Sequence, residues 1–303
     1  MSTPLSTTSY TLIDGKKASE AIKEKVAADV VAFKAQGGKT PHLAAIIVGS
    51  DGASETYVGN KVRTCEAIGF KSTLVRFPSE ISEAELLQKV EDINNDPDID
   101  GLIVQLPLPA HISVEKVTSK IKPEKDVDGF HPVNIGRMNK GLPAFISATP
   151  YGILLLLDFY NIPTKGKHCV VVGRSHIVGS PISILMAQDT KVGNCTVTIC
   201  HRHTADLPAI TKQADILIVA TGRPGMITGD MVKDGVVVID VGITRVADAT
   251  KKSGFAIKGD VDFDSVAPKS SYITPVPGGV GLMTIASLMK NTLSSAKKEI
   301  FSS

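Results

Sequence analysis

At 303 residues the chain has room for about two domains of roughly 100–200 residues each, and 43% hydrophobic with 21% charged residues excludes a disordered or collagen-like polymer. Lys and Arg number 33 against 31 Asp and Glu, a net charge of +2, and aromatics are 5% with no Trp. That balance leaves no electrostatic footprint for nucleic acid or an anionic membrane and no base-stacking surface, so the expected partner is a small molecule held in a cleft.

The N-terminal stretch Met1–Thr11 is polar and Ser/Thr-rich without an apolar core, and the first Arg is Arg63, so neither a secretory signal nor a transit peptide is expected. Leu43–Val48 reads as a strand ending in Gly49-Ser50-Asp51, a turn and helix start. Ser54–Ile68 reads as a helix closed by Gly69. Ser72–Phe77 alternates like a strand, and Ser82–Ile93 is helical with Ser82 and Glu85 spaced as a capping box. Ile99–Leu106 is a third strand, stopped by Pro107 and Pro109.

A second run of the same rhythm starts near Thr149. Pro150–Tyr160 is predicted helical; its aliphatic run Ile153–Leu157 is far too short to span a bilayer. Strands follow at His168–Val172, Cys195–Cys200, Ile216–Ala220 and Val236–Asp240, and their Val/Ile runs fit burial on both faces of a parallel sheet. After Tyr272-Ile273-Thr274 comes a Pro/Gly loop, Pro275–Gly281, and a last helix from Met283 to Glu299. The fold class is therefore α/β, with two doubly wound units: residues 1–150 plus 283–303, and residues 151–282. The four cysteines, Cys65, Cys169, Cys195 and Cys200, form no CxxC pair and read as buried thiols of a reducing compartment, the cytoplasm. No His/Asp/Glu set has metal-ligand spacing, so no metal is expected; His131 and His176 read as lone loop histidines.

The strand Val170-Val171-Val172 runs straight into Gly173-Arg174-Ser175-His176-Ile177-Val178-Gly179, with a helix after it. Strand, glycine turn and helix N-terminus together make an anion site, which suits a dinucleotide. The turn after the second strand of this unit, His201-Arg202-His203-Thr204, carries no acid to accept from a ribose 2′-OH. Arg202 there, with Arg174 at the end of the first strand, suits a 2′-phosphate, so NADP is favoured over NAD.

In the first unit, Tyr57 and Lys61 stand four apart on a helix and share a face. Three further segments accompany them: Asp100-Gly101-Leu102-Ile103-Val104-Gln105-Leu106-Pro107-Leu108-Pro109, Pro123-Glu124-Lys125-Asp126-Val127-Asp128-Gly129, and Pro275-Val276-Pro277-Gly278-Gly279-Val280-Gly281. With the Gly-Arg-Ser loop, this set resembles the bifunctional methylenetetrahydrofolate dehydrogenase/methenyltetrahydrofolate cyclohydrolase family, in order and spacing, from about Ile13 to Ile300. The resemblance implies NADP-dependent oxidation of 5,10-methylenetetrahydrofolate and hydrolysis of the methenyl product to 10-formyltetrahydrofolate, serving purine biosynthesis. It implies a folate-binding catalytic domain, a Rossmann-type NADP domain and a cleft between them, in a cytoplasmic homodimer.

The same resemblance assigns roles. Lys61 matches the acid/base of the hydrolytic step, Gln105 the glutamine that hydrogen-bonds it, and Tyr57 the tyrosine that stacks on the folate. Asp128 matches the carboxylate that reads the pterin, with Asp126 the weaker candidate beside it. Val104, Pro277, Gly278 and Gly279 are expected on the folate; Gly173, Arg174, Ser175, Val178, Gly179, Arg202, Thr221, Gly222 and Ile243 on the cofactor. Leu282 stands where family members commonly carry Pro.

Overall fold

The computed structural model describes residues 10–50, 52–251 and 254–301. The expectations for Met1–Ser9 and for Asp51 at the end of its turn lie outside these residues. In chain order the elements are β1 (Thr11–Leu12), α1 (Gly15–Ala35), β2 (His42–Val48), α2 (Gly52–Ala67), β3 (Lys71–Phe77), α3 (Glu83–Asn95), β4 (Gly101–Val104), α4 (Val114–Lys120), α5 (Pro132–Asn139) and α6 (Ala148–Phe159). There follow β5 (His168–Val172), α7 (Gly179–Ala187), β6 (Thr196–Cys200), α8 (Leu207–Thr211), β7 (Ile216–Val219), β8 (Val236–Asp240), β9 (Thr244–Ala247), β10 (Phe255–Lys258), α9 (Phe263–Val266), β11 (Ser270–Ile273) and α10 (Met283–Ala296). No helix among the described residues is long and apolar enough to cross a membrane.

The chain divides into two compact units. Among the described residues, one takes Ser19–Ala148 and 285–301; the other takes 10–18 and Thr149–Thr284. The N-terminal boundary differs from the expected division, which put residues 1–150 and 283–303 in one unit. The reason is backbone pairing: β1 adds to the edge of the second unit's sheet, parallel to β11, with Thr11 opposite Tyr272. The sequence elements begin at Leu43 and so omit β1 and α1; α4, α5 and the β9–β10 hairpin were also not expected.

In the unit that holds Ser19–Ala148, three parallel strands lie in the order β3-β2-β4. β2 is buried at every position, and its alternate residues serve two cores. Leu43, Ala45 and Ile47 pack with Val26 and Val30 of α1, Val58 and Cys65 of α2 and Leu288, Met289 and Leu293 of α10. Ala44, Ile46 and Val48 pack with Leu86, Val90 and Ile93 of α3. The capping box at α3 forms: Ser82 Oγ accepts from Glu85 N, and the Glu85 carboxylate accepts from Ser82 N.

A turn beside β4 is organised by a buried acid. Asp126 accepts from Phe130 N (3.2 Å), His131 N (2.8 Å) and Asn134 Nδ2 (2.8 Å). Asn291 of α10 holds the same segment, donating to Val127 O and Ile146 O at 2.9 Å each. Gly129 is required there: φ is +70°, and a Cβ would lie 2.6 Å from Ser147 N. Burial pushes the Asp126 carboxyl up to about 7, against the pull of its N–H donors.

The second unit carries a six-stranded parallel sheet in the order β1-β11-β8-β7-β5-β6. Val172 of β5 pairs with Cys200 on one side and Val219 on the other, and Val219 pairs with Asp240 of β8, so these strands finish in line. β9 and β10 form a separate antiparallel hairpin. The β1–α1 junction is tied to the Pro/Gly loop: Gly15 N donates to Gly278 O at 2.9 Å.

Two predictions concern this frame. A Cβ at Gly15 would lie 2.0 Å from Gly279 O, whereas one at Gly136, inside α5, meets nothing within 4 Å. Gly15→Ala should therefore lose about 1–3 kcal/mol of stability through overpacking, and Gly136→Ala should gain about 0.5–1 kcal/mol; urea midpoints check both signs. Because Asp126 titrates near 7 when folded and near 3.8 when unfolded, the folded chain holds a proton across that interval that the unfolded chain has released. The Asp126 contribution to stability is fully present below 3.8 and is lost as pH rises through 7. Asp126→Asn should flatten that part of a stability–pH curve measured by denaturant titration.

Candidate active site

In the unit of Ser19–Ala148, β2 lies between β3 and β4, so the chain leaves β2 toward one neighbour and returns on the other side. That is a topological switch point, where open α/β sheets place ligands beyond the strand carboxyl ends. α2 follows β2 and carries Tyr57 and Lys61; Gln105 directly follows β4. Lys61 is half-buried, and its Nζ donates to Gln105 Oε1 at 3.1 Å. The amide orientation is fixed from the other end, because Gln105 Nε2 donates to Leu106 O at 2.7 Å. The backbone of Gln105 is also held, its N–H donating to Ile46 O at 2.9 Å. The carboxamide therefore presents an acceptor to the ammonium and no donor.

Asp128 is positioned by the turn described above, next to a parallel bridge between Leu102 and Asp126. Its carboxylate has no hydrogen-bond partner among the described residues. Burial raises its pKa, and the charge of Lys61 pulls it back down. The two ionisable groups thus act on each other electrostatically, and Asp128 keeps its acceptor oxygens free. Asp126 differs: all its contacts are structural, which assigns it to the turn. Tyr57 is 39% exposed, with its ring available to a flat ligand. Val104 is only 6% exposed and belongs to one buried cluster with Ile46, Leu86 and Val90, so its side chain faces the core and its backbone is what it would offer a folate.

In the other unit the switch point lies at β5, flanked by β6 and β7. Gly173 has φ +127°, and a Cβ there would lie 2.2 Å from Ala220 O; a Cβ at Gly179 would lie 2.3 Å from Gly173 O. Only glycine lets the turn, the neighbouring strand and the start of α7 approach this closely. Ser175 Oγ accepts from Val178 N (3.2 Å) and Gly179 N (3.4 Å), which shapes the turn ahead of α7. Gly173 N donates to Cys200 O at 2.9 Å, bringing the turns that carry Arg174 and Arg202 to the same end of the sheet. Both arginines are exposed. The Arg174 guanidinium makes no ion pair or hydrogen bond among the described residues, its backbone carbonyl accepting from Ser180 Oγ at 3.2 Å, and Arg202 Nε donates to His203 Nε2 at 3.0 Å. No acid enters this turn: Thr204 Oγ1 accepts from His201 N, and Asp206 caps α8 through Ala209 N.

The later strand ends hold two residues that sequence reasoning missed. Asp260 is fully buried, and its Oδ2 accepts from Thr221 N (2.6 Å) and Gly222 N (2.9 Å). Asp240, 4% exposed, accepts from Gly242 N (2.9 Å), Asp260 N (3.0 Å) and Val261 N (3.0 Å). The available signal was an acid closing the apolar run Val236-Val237-Val238-Ile239-Asp240, and a second acid between Gly259 and Val261. Gly222, with φ +68°, faces open space, and Ile243 is 49% exposed. In the Pro/Gly loop, Pro277 is exposed and Gly278 has φ +110°. Leu282 N donates to Gly279 O at 3.3 Å, a bond that a proline at 282 would lack. The glycine turn, two exposed cationic side chains and an acid-free turn after the second strand are what a dinucleotide with an extra phosphate requires.

Known proteins match this chain along nearly its whole length. The tetrahydrofolate dehydrogenase/cyclohydrolase catalytic domain model matches residues 13–128, and the NAD(P)-binding domain model of the same family matches residues 147–300. A bifunctional protein FolD from Cytophaga hutchinsonii is 63% identical over 285 residues, covering 94% of this chain and 98% of that protein. The crystal structure of a bifunctional FolD methylenetetrahydrofolate dehydrogenase/cyclohydrolase from Campylobacter jejuni is 46% identical, covers 96% of this chain and 100% of that one, and superposes with a TM-score of 0.89. A Trypanosoma brucei methylenetetrahydrofolate dehydrogenase-cyclohydrolase, solved with NADP cofactor and an inhibitor, is 36% identical, covers 97% of this chain and 99% of that one, and has a TM-score of 0.90. Matched in both units and in the same order, this chain belongs to the tetrahydrofolate dehydrogenase/cyclohydrolase family.

Proposed function

We propose that the chain oxidises 5,10-methylenetetrahydrofolate to the 5,10-methenyl form with NADP and then hydrolyses that product to 10-formyltetrahydrofolate. The observation that carries this reading is the Lys61–Gln105 hydrogen bond of 3.1 Å beside the unpaired carboxylate of Asp128. Arg174 and Arg202 would hold the 2′-phosphate of NADP, while Gly173, Ser175, Val178 and Gly179 form the turn beneath the remaining phosphates. Thr221, Gly222 and Ile243 would lie along the nicotinamide end. When bound, NADP supplies the nicotinamide carbon that accepts a hydride from the folate methylene carbon.

The protein needs no general base for the first step, since the flanking nitrogen lone pairs stabilise the cation that forms. Its task is to align donor and acceptor carbons. The second step does need proton transfer. Water attacks the methenyl carbon and loses one proton; as the adduct opens, its hydroxyl gives up the second proton to become the formyl oxygen, the bond to N5 breaks with its electron pair on N5, and N5 gains a proton, so that one proton leaves to solvent. Lys61 Nζ would take the first of these protons and return one to N5, oriented by the fixed acceptor of Gln105. Asp128 would accept the adjacent N–H donors of the pterin edge, and the Tyr57 ring would stack on the folate. Pro277, Gly278 and Gly279 would offer backbone to the same ligand. On this reading the enzyme is a cytoplasmic homodimer whose product serves purine biosynthesis; family membership is what supports these last points.

Lys61→Met should lower methenyl hydrolysis by about 100-fold or more, the usual range for a lost proton-transfer group, and leave NADP reduction within a few-fold. Following methenyl decay and NADPH formation separately checks this, and equal loss of both activities would contradict the separated roles. Arg202→Asp should raise the KM for NADP by about 10- to 100-fold, the worth of one or two charge-assisted hydrogen bonds, with the KM for NAD unchanged or lowered. Initial rates with each cofactor decide it; an unchanged NADP KM would remove Arg202 from the 2′-phosphate site.

A further inference from the structure

Beneath the strand ends proposed for the nicotinamide, the structure buries two acids, with no cation among the described residues bonded to either. Asp260 and Asp240 accept backbone N–H groups only: Thr221 N and Gly222 N on Asp260, and Gly242 N, Asp260 N and Val261 N on Asp240. Serving purely as acceptors is what the ionised form does. Asp260 Oδ1 is buried and has no hydrogen-bond partner at all. Two glycines make room for the pair. A Cβ at Gly242 would lie 2.4 Å from Asp260 Oδ1, and one at Gly259 would lie 2.0 Å from Asp240 Oδ2. Backbone N–H donors alone would be served by neutral acceptors such as Asn or Ser, so holding these turns does not by itself call for two carboxylates.

We propose that Asp260, with Asp240 behind it, is an electrostatic positioning residue that favours the oxidised, positively charged nicotinamide over the reduced, neutral one. The inference rests on the NADP reading and deepens it. A buried negative charge is weakly screened, and it acts on a ring whose charge differs by one unit between its two oxidation states. The oxidised cofactor is therefore held more tightly, which suits loading the enzyme for hydride removal from the folate. Thr221 and Gly222 carry the effect structurally as well, because their N–H groups are anchored on Asp260 Oδ2.

Asp260→Asn separates charge from support. The amide oxygen can keep both N–H bonds while the NH₂ takes the place of the unpartnered Oδ1. Dissociation constants for NADP+, NADPH and adenosine 2′,5′-bisphosphate, which lacks the nicotinamide, should be measured on the whole protein by fluorescence or calorimetry. The buffer should be at about pH 8, above the value of about 6 to which burial raises Asp240. The expected result is a loss of NADP+ affinity of about five- to tenfold relative to NADPH, with the bisphosphate unchanged. Equal weakening of NADP+ and NADPH would overturn the electrostatic role and leave Asp260 as a support for its turn. A wild-type protein that binds none of the three ligands would overturn the nucleotide reading itself. If Asp260→Asn does not fold, Asp240→Asn read with the same three ligands decides by the same criterion.

Discussion

Parallel strands buried on both faces end in turns whose backbone N–H groups must find acceptors away from water, and the rest of the second unit depends on how that need is met. Cys200 O takes the N–H of Gly173, Val172 O takes that of Ala220, and the two buried aspartates take those of Thr221, Gly222, Gly242 and Val261. Every one of these acceptors stands at the carboxyl end of the sheet. The turns are thereby rigid before any ligand arrives, and the glycines among them bring backbone close without a side chain in the way. Rigid turns are what alignment of two reacting carbons asks for, since a misplacement of an ångström costs rate steeply.

The other unit meets the same need with different groups. There Asp126, Asn134 and Asn291 satisfy the turn that carries Asp128, and Lys125 caps the end of α3 through Ile93 O (2.8 Å) and Asp96 O (2.6 Å). Polar side chains bonded to the surrounding backbone adjoin a carboxylate with no hydrogen bond among the described residues, and a lysine with a single protein acceptor stands on the neighbouring helix. That contrast separates Asp128 and Lys61 from the structural acids and amides near them. A group whose bonding capacity is spent on the fold has nothing left for a ligand. Both units also set their candidate residues at a switch point of the sheet, so one topological rule accounts for the helix that carries Lys61 and for the turn that carries Arg174.

Much of this was legible in the residues. The buried strands announced themselves as apolar runs, and the capping box of Ser82 and Glu85 marked the start of α3 within a residue. Lys61, Gln105, Asp128 and the Gly173 turn were recognisable from their joint spacing. α1 was legible but unread: Ala18, Ile22, Val26 and Val30 repeat every four residues after Asp14, whose Oδ1 accepts from Lys16 N and Lys17 N. β1 was not legible, because two residues have no periodicity and their pairing with β11 is a contact across nearly the whole chain. The face of Val104 was not legible either: a residue at a strand end can point to either side, and the register turns this side chain into the core. Asp240 and Asp260 resemble ordinary turn aspartates until the glycines packed against them show that both are enclosed.

The central claim is that one chain performs two successive steps, with a folate reader and an NADP reader both in place. One time course tests it most directly: 5,10-methylenetetrahydrofolate mixed with the wild-type protein and either NADP or NAD, with reduced cofactor, the methenyl intermediate and 10-formyltetrahydrofolate followed together. The account predicts that NADP is reduced in preference to NAD, and that 10-formyltetrahydrofolate appears in step with it, faster than methenyl decays in buffer. Reduction of NADP with methenyl accumulating and decaying only at its uncatalysed rate would contradict it, as would no reduction of either cofactor.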